Sequence, residues 1–542
     1  MKAKQLSLVI ATAAALLLAA CGTSNGSSAG LTTQVQAEET SATDNTLDIG
    51  TTNTISGFNV FNTTDVAGQW IQRFMYPSLL DQPEAGVFEA NVASMTTEDN
   101  LVYTITIKDD VVWSDGTPFT ADDVAYNFNV IANPNVETSN SANLKSIEGV
   151  DDAGKLAEGT ETISGVRVID DKTLTITLNT ATDPAYVYEN IGFKIMIAPK
   201  HVVEKEDIYN LGSSEFATNP TVFAGPYKFV KYESGSYVKM VANESYHKGK
   251  PTIENAIVHI MDSTGMVIAL QAGELDMTAG GGIALIPISD IKFLEQNEDI
   301  YVESNYGTSV QFMYINNEKF DNATFRQALL AAVDRDRMSE GLLQGEGEVV
   351  PTTYTSISAY KDPDLDPVAY DPDRAKELLA ESGFDTSQTI KLAVPTGNVT
   401  RMYAANLIEQ DLEAIGLDVV QTSADFTTHA ANVSAGDYDL AMMGLALNVD
   451  PDQGSYWSSS GLNQVNINDP ELDQLISQGA SQTSFEDRYE TYKAIQARFQ
   501  DQAYLVPLYS DYQFTIQTTD LNGGIQPFWF GSLTDIQEWT FN

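Results

Sequence analysis

Between residues 370 and 445 helix and strand signals alternate, and that alternation constrains the fold more than any other feature. Asp371-Pro372 supplies an N-cap followed by proline at the first helical position, and the helix runs to Leu379 and stops at Gly383. Ile390–Val394 then reads as a strand, Tyr403–Ile415 as a helix stopped at Gly416, and Asp418–Thr422 as another strand. Strands joined through helices pair in parallel and need helical cover, so this part of the chain predicts an α/β layer.

The N-terminal third follows a different rule. Thr46–Thr54 reads as a strand, and Gly68–Leu80 carries helix-spaced Ile71, Met75 and Leu79. Leu101–Lys108 alternates, with Val102, Thr104 and Thr106 on one side and Tyr103, Ile105 and Ile107 on the other. Thr120 is an N-cap with Asp123 at the capping-box position, and Val166–Leu178 is a pair of strands around Asp170-Asp171-Lys172. Ala224-Gly225-Pro226-Tyr227 turns into a strand over 227–232, partnered by Val238–Ala242, and Phe325–Asp334 is an amphipathic helix. Hairpins here and crossovers later predict a β-rich lobe beside an α/β lobe. A chain of 542 residues also exceeds what one core supports.

The first twenty residues stand apart. Lys2 and Lys4 precede the apolar run Leu6–Ala20, which is shorter than the roughly 20 residues a membrane-spanning helix needs. Leu18-Ala19-Ala20-Cys21 resembles the lipobox of bacterial lipoproteins, which implies cleavage before Cys21 and a lipid on its sulfur. Cys21 is the only cysteine and opens a polar Gly/Ser/Thr tract reaching Asn45. With that cysteine consumed, disulfides and cysteine metal sites are excluded. A net charge of −46 opposes any nucleic-acid partner.

The stretch Val112-Trp113-Ser114-Asp115-Gly116-Thr117-Pro118-Phe119-Thr120-Ala121-Asp122-Asp123-Val124 closely resembles the signature of the oligopeptide, dipeptide and nickel-binding family 5 of extracellular solute-binding proteins. Ala224–Tyr227, Gly273–Asp276, Phe325–Leu329, Ala332–Arg335, Asp371–Leu379 and Arg488–Pro507 agree in order, so the resemblance spans about Thr46 to Asn542. It implies a class II, cluster C periplasmic-binding-protein-like α/β fold, with two lobes on a two-crossover hinge and an inserted third lobe. The expected division is a signal peptide over 1–20, a linker over 21–45, lobe I over 46–88, 195–303 and 508–542, lobe II over 89–194, and lobe III over 304–507.

The resemblance also implies a role: capture of a peptide between lobes I and III and delivery to ABC permease and ATPase subunits. The protein would be a monomer, lipid-anchored on the outer face of the cell membrane, or periplasmic where an outer membrane exists. Peptide-binding members anchor the ligand's α-ammonium with an aspartate four residues after the glycine of a segment like Met443–Pro451. Here that position is Asn448, and the Gly444-to-Pro451 spacing is one residue shorter. Asp450 is either a substitute anchor or a turn residue before Pro451. Arg401 stands where dipeptide-binding relatives hold the ligand carboxylate. Gly444 and Ala446 would offer backbone to the ligand, and Trp457, Tyr456 and Tyr314 are candidate pocket walls.

Catalytic and metal readings are weaker. Gly22-Thr23-Ser24-Asn25-Gly26 matches a nucleophile-elbow pattern but has no strand before it or helix after it. His201, His247, His259 and His429 lack zinc spacing. Asp362, Asp364 and Asp366 are interrupted by Pro363 and Pro367 and read as a solvated acidic loop. No catalytic residue, metal ligand or cofactor is therefore expected. The alternatives are a nickel or metal-chelate binder using His429 and Arg401, and a surface receptor for peptides or pheromones.

Overall fold

The structure is a computed structural model that describes residues 45–280, 282–524 and 533–542. The expected signal segment, linker, nucleophile-elbow pattern and Cys21 lie outside those residues.

Local signals translate into elements where backbone groups find the partners the sequence provides. The Asp123 carboxylate accepts from both the backbone N–H and the hydroxyl of Thr120, closing the start of the helix Ala121–Ala132. Asp371 accepts from the N–H of Arg374 and Gly383 ends the helix Pro372–Ser382 at φ 69°, a left-handed conformation that glycine adopts without strain. Asn398 caps Val399–Ala414 through the N–H of Arg401.

The helix expected over 68–80 is shorter, Val66–Gln72. Pro77 disfavours helical backbone at Tyr76. The carbonyls that would have continued the helix serve another segment: Met75 accepts from Ala224 and Gly225, and Phe74 from Tyr227.

A seven-stranded mixed sheet runs Ile300–Asn305, Gln513–Thr518, Met277–Thr278, Thr46–Thr51, Asn255–Ile260, Tyr237–Ala242, Tyr227–Glu233. Thr46–Thr51 pairs in parallel with both neighbours, and Leu47 and Ile49 are fully buried. A six-stranded sheet runs Gly347–Glu348, Leu505–Asp511, Ser309–Ile315, Leu440–Ala446, Thr389–Pro395, Asp418–Ala424, and its last three strands are parallel. That parallel trio is the α/β alternation of residues 370–445 in three dimensions.

The hairpin-rich region forms a four-stranded antiparallel sheet of Ala93–Thr97, Val102–Ile107, Thr173–Thr177 and Val166–Asp170. Trp113 stacks on Phe119 at 5.1 Å with both rings fully buried, so the aromatic residues of the signature are scaffold.

Two short connections link the large sheets. Asn305 leads to Ser309, and Asp511 leads to Gln513. The rings of Tyr306 and Tyr512 meet edge to face at 5.0 Å between them.

Candidate functional site

Register shows what these crossovers bring together. In the seven-stranded sheet, Asn305 pairs with Gln513 at the carboxyl end of the parallel strands. In the six-stranded sheet, Ser309 pairs with Ala446, the last residue of the parallel strand Leu440–Ala446. The connections therefore place the carboxyl ends of both parallel sets side by side. Open α/β sheets bind their ligands just outside such ends.

At this junction Gln311 lies directly opposite Gly444. Arg401, in the first turn of Val399–Ala414, donates from Nε to Gln311 Oε1 at 3.0 Å. A Cβ added at Gly444 would stand 2.6 Å from Arg401 Nη2 and 2.7 Å from the Gln311 amide, so only glycine admits this arrangement. Arg401 is 9% exposed, yet its Nη hydrogens meet no acceptor among the described residues. Burial lowers its pKa, while Tyr509 and Asp511 act to raise it. Asp511 shows the reciprocal effect: desolvation raises its carboxyl and Arg401 opposes the rise. The result is a desolvated guanidinium with donors left over, suited to a carboxylate brought in from outside.

The other sequence candidates fall into different settings. Ala446 is exposed at the strand end. Asn448 is also exposed, and its Oδ1 accepts from Lys194 Nζ at 3.2 Å. Asp450 does not offer its carboxylate to the cleft: it is buried and takes Arg488 Nη1 and Nη2 at 3.1 and 3.2 Å. Its backbone N–H donates to Glu189 Oε2 at 3.0 Å.

Tyr314 and Trp457 are core residues and not pocket walls. They are 1% and 2% exposed and pack with Phe312, with ring centroids about 6 Å apart. Trp457 Nε1 donates to Gln453 Oε1, and the half-buried Tyr456 packs on its ring. His429 is buried, with Nε2 bonded to the carbonyl of Met442. The acidic loop is solvated at Asp364 and Asp366, whereas Asp362 is buried and Lys493 bridges it to Asp364.

Gln311, Asp511, Asp183, Glu189 and Lys194 were absent from the sequence reading, and Arg488 entered it only as the start of a matching block. Gln311 alone carried a signal, its place on an apolar strand beside an expected binding segment.

Comparison with known proteins bears on the family and the fold. Residues 87–466 match the model for bacterial extracellular solute-binding proteins, family 5 Middle. The oligopeptide-binding protein AppA of Bacillus subtilis is 26% identical over 473 residues, covering 82% of this chain and 83% of that protein. Its nonapeptide complex superposes with a TM-score of 0.73 at 24% identity, over 92% of this chain and 99% of AppA. Heme-binding protein A of Haemophilus influenzae is 28% identical over 453 residues, covering 80% of each chain. The ABC transporter substrate-binding protein CtaP from Listeria monocytogenes has a TM-score of 0.79 at 26% identity, over 92% of this chain and 99% of CtaP. The chain thus belongs to family 5 of the bacterial extracellular solute-binding proteins.

Proposed function

We propose that this chain captures peptides in the cleft between the seven-stranded and six-stranded sheets and passes them to an ABC permease. The observation that carries the reading is Arg401, a buried guanidinium with unused donors at the end of a strand edge. A peptide supplies what that site lacks: a carboxylate for Arg401 and backbone groups for Gly444–Ala446. Val399, Met402, Tyr403 and Phe426 are exposed at the first turns of the two helices following the parallel strands. Their positions suit contacts with ligand side chains.

In this reading lobes I and III close about the two crossovers, and no catalytic step is assigned. Cys21 carries the lipid that holds the monomer at the outer face of the membrane, within reach of the transporter.

Titration calorimetry with an oligopeptide pool tests the cargo. The pool binds, C-terminal amidation weakens binding, and Arg401→Ala does the same without lowering Tm. Binding of nickel–histidine with no peptide binding would overturn the peptide assignment. For the anchor, the full-length protein partitions into detergent and Cys21→Ser moves it to the aqueous phase; equal partitioning of both forms excludes the lipid.

A further inference from the structure

The contacts at Asn448–Asp450 join two bodies of the molecule. On one side stands the segment 183–194, seated on the four-stranded sheet. A Cβ at Gly192 would lie 2.6 Å from Leu80 Cδ1 and 3.1 Å from Met95 Sδ, which shows how closely the segment is packed there. On the other side stand the loop after Leu440–Ala446 and the helix Phe485–Gln502, both parts of the six-stranded body.

Three polar connections cross between them. Arg488 Nη1 reaches Asp183 Oδ2 at 3.0 Å while holding Asp450 on its own side. Glu189 accepts the N–H of Asp450. The Lys194 ammonium is shared among Glu189 at 2.9 Å, Asn190 at 3.3 Å and Asn448 at 3.2 Å.

The Arg488 side chain is 2% exposed, Asp450 4% and Asp183 9%, so the central triad is dry. Tyr360 and Tyr492 lie 5.4 and 5.5 Å from the guanidinium carbon. A cavity of about 500 Å³ reaches the triad at Asp183 and Arg488.

These contacts are not equivalent. Asp450 neutralises Arg488 within one body, whatever the separation of the two. Asp183 is the second carboxylate on a cation that already has one, and like Glu189 it loses its water when the bodies meet. A buried pair of this kind returns little net free energy, because desolvation offsets most of the attraction. Such a contact catches and releases instead of welding.

The four-stranded and seven-stranded sheets share one hydrophobic core through Leu47, Ile49, Tyr103 and Ile105, and we propose that Asp183, with Glu189 and Lys194, is a latch that holds the cleft shut. The residence time of a bound solute is then set partly by residues that touch no solute. This rests on the capture reading above only in naming the cleft as the binding site; the closure itself is measurable without ligand.

The test uses the full-length protein and its Asp183→Asn variant, with Asp183→Glu as the conservative control. Small-angle scattering of the unliganded proteins reads closure, and stopped-flow release of an oligopeptide pool reads residence. Asp183→Asn enlarges the unliganded radius of gyration and speeds release about tenfold, near 1.4 kcal/mol, leaving the association rate within about twofold. Asp183→Glu restores most of both, and Tm stays near the wild-type value because Asp450 still neutralises Arg488. An unchanged radius and release rate overturns the latch, as does a fall in Tm with neither quantity altered. If the wild type binds no peptide, the capture reading fails while the scattering comparison still decides the latch.

Discussion

Arg401 and Arg488 are both buried guanidiniums in the six-stranded body, and they behave in opposite ways. Burial works to lower the pKa of each. At Arg401 it prevails, because Asp511 is near without touching and Gln311 is neutral. At Arg488 the Asp450 carboxylate overrides it and the pKa is raised. One cation is neutralised by a carboxylate of its own body, and the other touches no carboxylate among the described residues. A buried charge without a partner is costly, and in the capture reading proposed above a ligand carboxylate offsets that cost.

The sharpest way to break this contrast is to remove each cation in turn. Arg488→Met leaves Asp450 and Asp183 buried without a counter-charge and destabilises the protein by about 3–5 kcal/mol, read from urea unfolding. Arg401→Met removes a cation whose side-chain hydrogen bond among the described residues goes to neutral Gln311. It costs peptide affinity about 2–5 kcal/mol by calorimetry, with stability unchanged or improved. If Arg401→Met unfolds the protein as Arg488→Met does, the two sites are of one kind.

Gly444→Ala has a smaller effect. Its Cβ displaces Arg401 and Gln311, lowering affinity about tenfold, near 1.4 kcal/mol, and adds little further loss in an Arg401→Met background. Additive losses would show that Gly444 acts independently of the arginine.

A third arginine calibrates the smallest effect. Arg498, 22% exposed, pairs with Asp469, which also accepts from Tyr504. Desolvation raises the Asp469 carboxyl, but the bonds from Arg498 and Tyr504 win and hold it at about 2. Because the folded value lies below the unfolded one, this stabilisation is present above about pH 4 and is lost as pH falls through about 2. Asp469→Asn therefore costs about 1 kcal/mol at pH 7 after solvent screening and only a small part of that at pH 2, by urea unfolding at each pH.

The two arginines also mark what the sequence could reveal. Arg401 was legible because an arginine in the first turn of a helix opposes the helix dipole and needs a reason to be there. The caps at Thr120 and Asp371 and the parallel trio were similarly open to reading, because caps and crossovers are local rules. Arg488 was not: its partners Asp450 and Asp183 come from separate segments, and a lone carboxylate in a chain with 75 acidic residues announces nothing. Asp450 looked equally like a turn residue and a ligand anchor, and the structure gives it a third task that only the packing of the helix Phe485–Gln502 defines. Tyr314 and Trp457 illustrate the converse, since an aromatic ring reads the same from sequence whether it walls a pocket or fills a core.

The composition of the seven-stranded sheet has a consequence for how the protein is made. Its strands come from Thr46–Thr51 at one end of the chain and Gln513–Thr518 near the other, with the latter bridging Met277–Thr278 and Ile300–Asn305. No N-terminal fragment that stops short of residue 513 contains the whole sheet. Synthesis must pass residue 513 before that sheet can close, so the strands made earlier wait for a partner that is made last among them.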